Sequence, residues 1–261
     1  MKTRGGTVNQ PLEGYRVLDL SWQGPGPYCA LILAQLGADV IVVDDGSPRG
    51  RAARAPGAVG AYMERIGRYA RRECRRIALD LKHPDGQRVT QQLVARADVL
   101  IEGFRPGVAA RLGLGAEELT GRYPRLVYCS ISGFGQNGPY RAAAGHDINY
   151  LALAGLLGLT GASDGAPVVP GTIVADLAAG GLPAAVAILA ALLARERSGT
   201  GCVIDAAMQE GSVALLAPIL ALRAAGEPMR PAGTILTGAA PWYGVYETAD
   251  GRFVAVGTIE P

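Results

Sequence analysis

Residues 16–43 of the chain, RVLDLSWQGPGPYCALILAQLGADVIVV, decide its fold. The apolar run RVLDL at 16–20 predicts a short strand, and the GPGP turn at 24–27 leads into a helix at 28–36 that Gly37 ends. The run DVIVV at 39–43 predicts a second strand. A strand, a turn, a helix and another strand in this order indicate the beginning of a parallel sheet.

Further apolar segments continue this alternation along most of the chain. The pattern predicts an α/β fold, in which an open, mostly parallel, Rossmann-like sheet with flanking helices forms a large domain at residues 1–225. The later strands are predicted at 98–101, 126–130 and 202–206, and the later helices at 85–96, 149–157, 177–197 and 208–225.

The chain changes character toward its carboxyl terminus. Residues 243–247 and 252–256 flank Asp250-Gly251, and an Asp-Gly pair between two such runs is typical of a β-hairpin. We therefore expect residues 226–261 to hold a linker and the beginning of a smaller α+β domain, truncated at its end.

The composition excludes several classes of partner. The chain has 25 basic and 23 acidic side chains, and this near balance gives no argument for nucleic acid. Four well-separated cysteines without a CxxC pair predict no metal site and a reduced compartment. We expect no membrane segment, because the amino terminus lacks an apolar signal core and the run at 182–194 is too short to span a bilayer. The excess of Arg over Lys, with abundant Ala and Gly, is typical of a GC-rich genome, so we expect a bacterial cytoplasmic protein.

Gly24 and Gly26, with Asp44 or Asp45 at the end of the second strand, allow a nicotinamide-cofactor interpretation. Cys29 replaces the third glycine of that fingerprint, and two prolines stand in the loop. We therefore favour a tight turn between a strand and a helix.

Residues 47–76 are rich in arginine, and their prolines and glycines indicate a loop in at least the first half. A guanidinium group grips phosphate oxygens in two places, so the cluster suits a phosphorylated ligand, with a solvated loop as the alternative. Arg105 follows the strand at 98–101, at the carboxyl edge of the sheet where open α/β sheets bind ligands. The cluster consists of Arg49, Arg51, Arg54, Arg65, Arg68, Arg71, Arg72, Arg75 and Arg76.

The segment GHDINY at 145–150 holds one of the chain's two histidines. A neutral imidazole can take and return a proton near neutral pH, and the adjacent Asp147 can orient it, although a pair that only caps a helix is the alternative. Asp176 begins a long apolar helix, where an acid that favours the helix dipole is the simplest interpretation. Gly180 and Gly181 allow close approach of another backbone or of a ligand.

Three motifs occur in one order, namely GHDINY at 145–150, ADL at 175–177 before a glycine pair, and GAAPWYGVYETADGRFVAVGTIEP at 238–261. Together they resemble the α-methylacyl-CoA racemases, a branch of the class III CoA-transferase family, over nearly the whole chain. The resemblance implies racemisation or epimerisation of 2-methyl-branched acyl-CoA thioesters, by removal and return of the α-proton through an enolate.

The resemblance also implies roles for single residues. His146 and Asp176 would exchange the α-proton on the two faces of the substrate. Glu260 would pair with the histidine, and Asp147 would lie next to the thioester oxygen. No metal and no cofactor are implied, because CoA is part of the substrate. The implied CoA-binding residues are Arg75, Arg76, Arg105, Gly133 and Gly135.

Relatives form interlocked dimers, so the implied partners are the acyl-CoA substrate and either a second copy of the chain or a complementary C-terminal polypeptide. Two alternatives stay open. In transferases of the same family the residue that matches Asp176 attacks the acyl-CoA as a nucleophile, but these enzymes generally lack the GHDINY histidine. The other alternative is an inactive or split fragment, since relatives continue past the IEP motif at 259–261.

Overall fold

A computed structural model describes residues 10–46 and 58–260 of the chain. Its larger sheet has six parallel strands in the order β3-β2-β1-β4-β5-β6, and its smaller sheet is the hairpin β7-β8. The predicted open α/β fold is therefore confirmed. The strands are β1 (Arg16–Asp19), β2 (Asp39–Asp45), β3 (Arg75–Leu79), β4 (Val99–Glu102), β5 (Val127–Ser132), β6 (Val203–Ala207), β7 (Tyr243–Glu247) and β8 (Phe253–Gly257).

The helices flank the larger sheet on both faces. In chain order, the α-helices are α1 (Pro25–Gln35), α2 (Ala58–Ala70), α3 (Pro84–Val94), α4 (Val108–Arg111), α5 (Ala116–Arg122), α6 (Asp147–Ala154), α7 (Leu182–Ser198), α8 (Met208–Ala214) and α9 (Ala217–Ala224). A 3-10 turn at Leu157–Leu159 and a π-helix at Ala175–Gly181 precede α7.

Strand β1 shows why the sheet is buried on both faces. Val17 belongs to a core cluster with α1 and α7, whereas Leu18 belongs to the cluster on the opposite face with α3 and α5. Strand β4 alternates in the same way, with Ile101 in the first cluster and Leu100 in the second. Because helices cover both faces, the sequence of each of these two strands is a nearly continuous apolar run.

The strand order creates a crevice at the carboxyl ends of β1 and β4. Strand β1 pairs with β2 on one side and with β4 on the other, so the chain crosses over in opposite directions from this pair. Open sheets of this order bind ligands at that point. The loop after β1 contains Gly24, and the loop after β4 contains Arg105.

The long apolar helix begins with the π-helix Ala175–Gly181 and continues without a break into α7. A Cβ atom added to Gly181 would lie 2.6 Å from the carbonyl oxygen of Pro25 at the start of α1. The expected close approach of another backbone is therefore confirmed at Gly181. Wide π turns of this kind occur frequently at functional sites.

By length and composition alone, the 24 residues Ala175–Ser198 could cross a membrane. However, 44% of the apolar window is buried within the fold, and Ala184, Ala185 and Ile188 lie in the core cluster against the sheet. Leu182, Val186 and Leu193 on the same helix are exposed. The helix is longer than the apolar run at 182–194, whose shortness the sequence analysis used as its argument, so that argument is wrong. The expected absence of a membrane partner stays a prediction.

Several segments differ from the sequence analysis, and among them are α2 and α5, which it does not predict. Residues 208–225 form two helices rather than one, because Pro218 lacks the N–H that would continue α8 past Ala214. Strand β3 is not predicted, because it begins with Arg75 and Arg76 at the edge of the sheet. Arg49, Arg51 and Arg54 lie outside the described residues.

The predicted hairpin is confirmed. Strands β7 and β8 are antiparallel, with Tyr243 opposite Gly257 and Glu247 opposite Phe253. Gly251 has a φ of 75° in the turn, a conformation that glycine adopts without strain. The domain boundary between residues 225 and 226 stays a prediction.

Candidate active site

Asp176 lies in the first turn of the π-helix, where its carboxylate packs against the backbone of Gly24. A Cβ atom added to Gly24 would collide with Oδ2 of Asp176. Gly24 also has a φ of 59°. The turn between β1 and α1 therefore requires glycine at this position for two independent reasons, its backbone conformation and its contact with the carboxylate.

The surroundings of Asp176 shift its pKa. The pKa of Asp176 is raised to about 6, mainly by burial and in addition by the negative charge of Asp147, while the positive form of His146 opposes the shift. Within the ranges 10–46 and 58–260, no hydrogen bond reaches its carboxylate oxygens. A carboxyl group with such a pKa, free of hydrogen-bond donors, can act as acid or base near neutral pH.

A hydrogen bond ties the start of α6 to the π-helix. Oδ1 of Asp147 accepts the backbone N–H of Asp176 at 2.9 Å. The preceding residue, His146, caps α6, and its backbone N–H donates to Oδ1 of Asn149 at 3.0 Å. The imidazole of His146 is exposed, within electrostatic reach of Asp176. The structure thus brings together His146, Asp147 and Asp176, as the sequence predicts.

Tyr150 is a residue of this site that the sequence analysis missed. Its hydroxyl donates to the carbonyl oxygen of Gly145 at 2.7 Å, and its ring packs edge-to-face on Phe134 with centroids 5.2 Å apart. Burial raises the pKa of Tyr150, and the charge of Asp176 raises it further while that of Arg105 lowers it. The available signal was its place one helical turn after the histidine in GHDINY.

The two predicted loop glycines both have structural partners. A Cβ atom added to Gly133 would lie 2.5 Å from the Tyr150 ring, so the absence of a side chain there makes room for the tyrosine. Gly135 has a φ of 80° and donates its N–H to Oγ of Ser132 at 3.0 Å. Their contribution to a substrate channel stays a prediction.

Arg105 lies just after β4, at the crevice, as predicted. Its side chain is exposed and makes no hydrogen bond or ion pair to any residue that the structure describes. Its positive charge acts on Tyr150, whose pKa it lowers. The predicted contact of Arg105 with CoA stays a prediction.

Arg75 and Arg76 begin β3, on the edge of the sheet, and both form ion pairs. Arg75 donates to both carboxylate oxygens of Asp39 at 2.8 and 2.6 Å, and the Nη2 atom of Arg76 lies 2.7 Å from Oδ2 of Asp44. Each guanidinium group is thus already neutralised by a carboxylate. Their predicted contacts with CoA stay predictions.

Glu260 follows β8 and is exposed. No hydrogen bond or ion pair in the part of the chain that the structure describes joins it to His146. Its predicted role as the partner of the histidine stays a prediction.

A second buried carboxyl group, which the sequence analysis did not single out, ends β1. Asp19 is fully buried, and its Oδ1 accepts the backbone N–H of Ser21 at 2.8 Å. Burial raises the pKa of Asp19 to about 6, which the two hydrogen bonds from Ser21 and the charge of Arg71 only partly oppose. The signal in the sequence was an acid at the end of a strand that is otherwise apolar.

The sequence matches the model of CoA-transferase family III over residues 12–261. It is 44% identical to the alpha-methylacyl-CoA racemase of Homo sapiens over 251 residues, which cover 96% of this chain and 62% of that protein. It is 37% identical to the succinyl-CoA:glutarate CoA-transferase of Mus musculus over 249 residues, which cover 94% of this chain and 56% of that protein.

A solved CAIB/BAIF family protein from Brucella suis is similar in fold, with a TM-score of 0.79 and 33% identity over 94% of this chain and 65% of that one. The chain spans less than two thirds of the length of each of these relatives. The match over nearly the whole chain, together with the shared fold, establishes that the chain belongs to CoA-transferase family III.

Proposed function

We propose that this chain carries the proton-exchange site of an acyl-CoA racemase that acts on 2-methyl-branched thioesters. The observation that carries the proposal is the environment of Asp176, whose pKa burial raises to about 6 within electrostatic reach of His146. Two groups of different type that exchange protons near neutral pH are what inversion at an α-carbon requires. The identity with the human racemase supports this choice within the family.

In the proposed reaction, one of the two groups removes the proton from carbon 2, and the electrons of the C–H bond move into an enolate. The other group then donates a proton to the opposite face, which inverts carbon 2. Asp176 is the base for one enantiomer and His146 for the other. Exchange of protons with water returns both groups to their starting state.

The remaining polar groups of the site would bind the thioester and its handle. The start of α6 leaves N–H groups that the helix cannot pair, and these would stabilise the charge of the enolate oxygen. The guanidinium group of Arg105 would bind a phosphate group of CoA at the crevice. Contacts with CoA far from carbon 2 help to position the reacting carbon.

The test is proton NMR of one enantiomer of a 2-methylacyl-CoA in deuterated water, with the purified protein and no acceptor acid. The 2-methyl doublet should collapse as deuterium enters carbon 2. His146→Ala and Asp176→Asn should each slow exchange, and each should affect one enantiomer more than the other. Equal, full exchange of both enantiomers by His146→Ala would contradict the assignment.

Transfer of CoA is a second candidate, favoured by a carboxylate of Asp176 that accepts no hydrogen bond from the residues the structure describes, and by the similarity to a CoA-transferase. In that reaction, the carboxylate attacks the thioester carbonyl, the thiolate of CoA leaves, and a mixed anhydride forms on Asp176. The thiolate then attacks the Asp176 carbonyl of this anhydride, which releases the donor acid and leaves a CoA thioester on Asp176. The acceptor carboxylate attacks that thioester and forms a second anhydride, and the released thiolate attacks its acceptor carbonyl, which gives the acceptor-CoA thioester and restores the carboxylate of Asp176. Exchange of CoA that requires an acceptor acid, without deuterium at carbon 2, would identify this reaction.

We also propose that Glu260 reaches the histidine of another chain. This is supported by its exposed position after β8 and by the absence of a bond to His146 among the described residues. A second copy of the chain or a complementary polypeptide would then complete the site. Mixing an inactive His146→Ala variant with an inactive Glu260→Gln variant tests this arrangement, because only a site shared between chains can then regain activity.

A further inference from the structure

Side-chain contacts fix the first half of the turn between β1 and α1. Ser21 donates both its backbone N–H and its hydroxyl to Oδ1 of Asp19. A Cβ atom added to Gly26 would collide with Oγ of Ser21, so Ser21 also packs directly on the start of α1. These contacts hold the turn against the end of the strand.

Arg71, just after α2, holds the carbonyl groups of the same turn. Its Nη2 donates to the carbonyl oxygens of Ser21 and Trp22, at 3.1 Å each. The side chain is only 10% exposed, and its Nη1 lies 3.6 Å from Oδ1 of Asp44 at the end of β2. One guanidinium group thus holds two successive carbonyl groups, so the backbone position of the turn at Ser21 and Trp22 depends on it.

The same turn then reaches the carboxylate of the proposed catalytic site. Gly24 follows Trp22 by two residues, and its backbone packs on Oδ2 of Asp176. A shift of the Trp22 carbonyl group would therefore move Gly24 along with it. The side of the carboxylate that Gly24 covers would then open to water.

We propose that Arg71 is a positioning residue, which holds the Ser21 and Trp22 carbonyl groups so that Gly24 stays packed on Asp176. The effect of Arg71 on turnover rests on the proposed function. Its effect on the environment of Asp176 does not, because that environment exists without substrate.

Loss of Arg71 should change the titration of Asp176 in a defined direction. Burial is the largest cause of its raised pKa, so water that enters beside the carboxylate lowers the pKa. The other charged or titratable groups that act on Asp176 are Asp147 and His146, and Tyr150 faces it from α6. These three belong to α6 and its cap rather than to the turn that Arg71 holds.

The test follows the carboxyl carbon of Asp176 by NMR during a pH titration of carbon-13-labelled protein, without substrate. Asp176→Asn identifies the signal. Arg71→Gln should lower the midpoint by about one pH unit. Arg72→Gln is the matched control, because the neighbouring Arg72 stacks on Tyr69 and pairs with Glu73 without reaching the turn.

Arg71→Lys keeps the charge and most of the stem, but an ammonium group lacks the planar fork of the guanidinium group. Its midpoint should fall by about half as much as that of Arg71→Gln. Folded Arg71→Gln protein with the midpoint of the unchanged protein would overturn the proposal. If Arg71→Gln does not fold, an unchanged midpoint in Arg71→Lys overturns it instead.

The kinetic readout separates this proposal from the proposed function. If the protein exchanges α-protons, Arg71→Gln should lower kcat for the enantiomer that uses Asp176 as base more than it changes KM. If no exchange occurs but the titration midpoint shifts as described, the proposed function fails and the positioning role of Arg71 stands.

Discussion

The backbone N–H of Asp176 donates a 2.9 Å hydrogen bond to Oδ1 of Asp147. One carboxylate thus orients the backbone of the other while its charge raises the pKa of the other. This contact joins the start of α6 to the π-helix, the two segments that carry His146 and Asp176.

Replacement of Asp147 by Asn should lower the pKa of Asp176. The amide oxygen can still accept the Asp176 N–H, but the neighbouring negative charge is gone, so the ionised form of Asp176 becomes easier to reach. The exchange rate is measured against pH for the enantiomer that uses Asp176 as base. The midpoint of the acid limb of this profile should shift to a pH lower by about half a unit. Asp85→Asn, which removes an exposed charge on α3, should leave the limb unchanged; an upward shift in Asp147→Asn would contradict the electrostatic interpretation.

Gly24→Ala should disrupt the site through a collision of its Cβ atom with Oδ2 of Asp176. We expect the rate of α-proton exchange to fall about 100-fold, because a small displacement of a catalytic group has effects of this size. Alanine is also strained at the positive φ of position 24, and this strain alone should lower the free energy of unfolding by about 1 kcal/mol.

Gly14→Ala separates the two effects. Gly14 has a φ of 89°, and a Cβ atom added there would meet nothing within 4 Å. Gly14→Ala should therefore lower the free energy of unfolding in urea, as Gly24→Ala does. Its rate of α-proton exchange should stay unchanged. Similar exchange rates in the two variants would show that the contact with Asp176 is unimportant.

Asp19 should make the fold less stable as the pH rises. Burial raises its pKa to about 6, so the folded state holds this proton more tightly than the unfolded state does. Ionisation of the buried Asp19 lowers the free energy of unfolding. This loss is absent below the ordinary pKa of an aspartate and complete above about pH 6. Between about pH 4 and pH 7, the free energy of unfolding should fall by about 3 kcal/mol more in the unchanged protein than in Asp19→Asn.

Asp39→Asn offers a comparison of opposite sign for the same urea titrations. The Arg75 guanidinium group, through its hydrogen bonds, holds the pKa of Asp39 below its usual range. Its stabilising contribution is therefore present above the ordinary pKa of an aspartate and disappears as the pH falls through the lowered value. The result that would contradict the Asp19 prediction is an equal pH dependence of the free energy of unfolding in Asp19→Asn and in the unchanged protein.

Mixing two inactive variants should restore activity if Glu260 acts on the histidine of a second copy. His146→Ala supplies an intact Glu260, and Glu260→Gln supplies an intact His146. Randomly mixed dimers should recover about a quarter of full exchange activity, because half are mixed and each of these has one complete site. No recovery, with subunit exchange confirmed by mass spectrometry, would place the pair within one chain or reject it.

The sequence predicts most of the sheet because five of its six parallel strands contain a short apolar run. Strand β3 escapes prediction, since Arg75 and Arg76 occupy the start of an edge strand. His146 and Asp147 are found from their motif, as is Asp176. The contacts of Asp176 with Gly24 and of Arg71 with the turn are not predictable, because they join residues far apart in the chain and depend on how helices dock.

The turn after β1 is fixed at both ends, by Asp19 in the sheet and by Gly24 on Asp176. These two contacts therefore constrain the number of residues in the turn rather than the types of the residues between them. The side chains of Trp22 and Gln23 are exposed, so their types can change without disturbing either contact. A single residue inserted between them would push Gly24 out of register with Asp176.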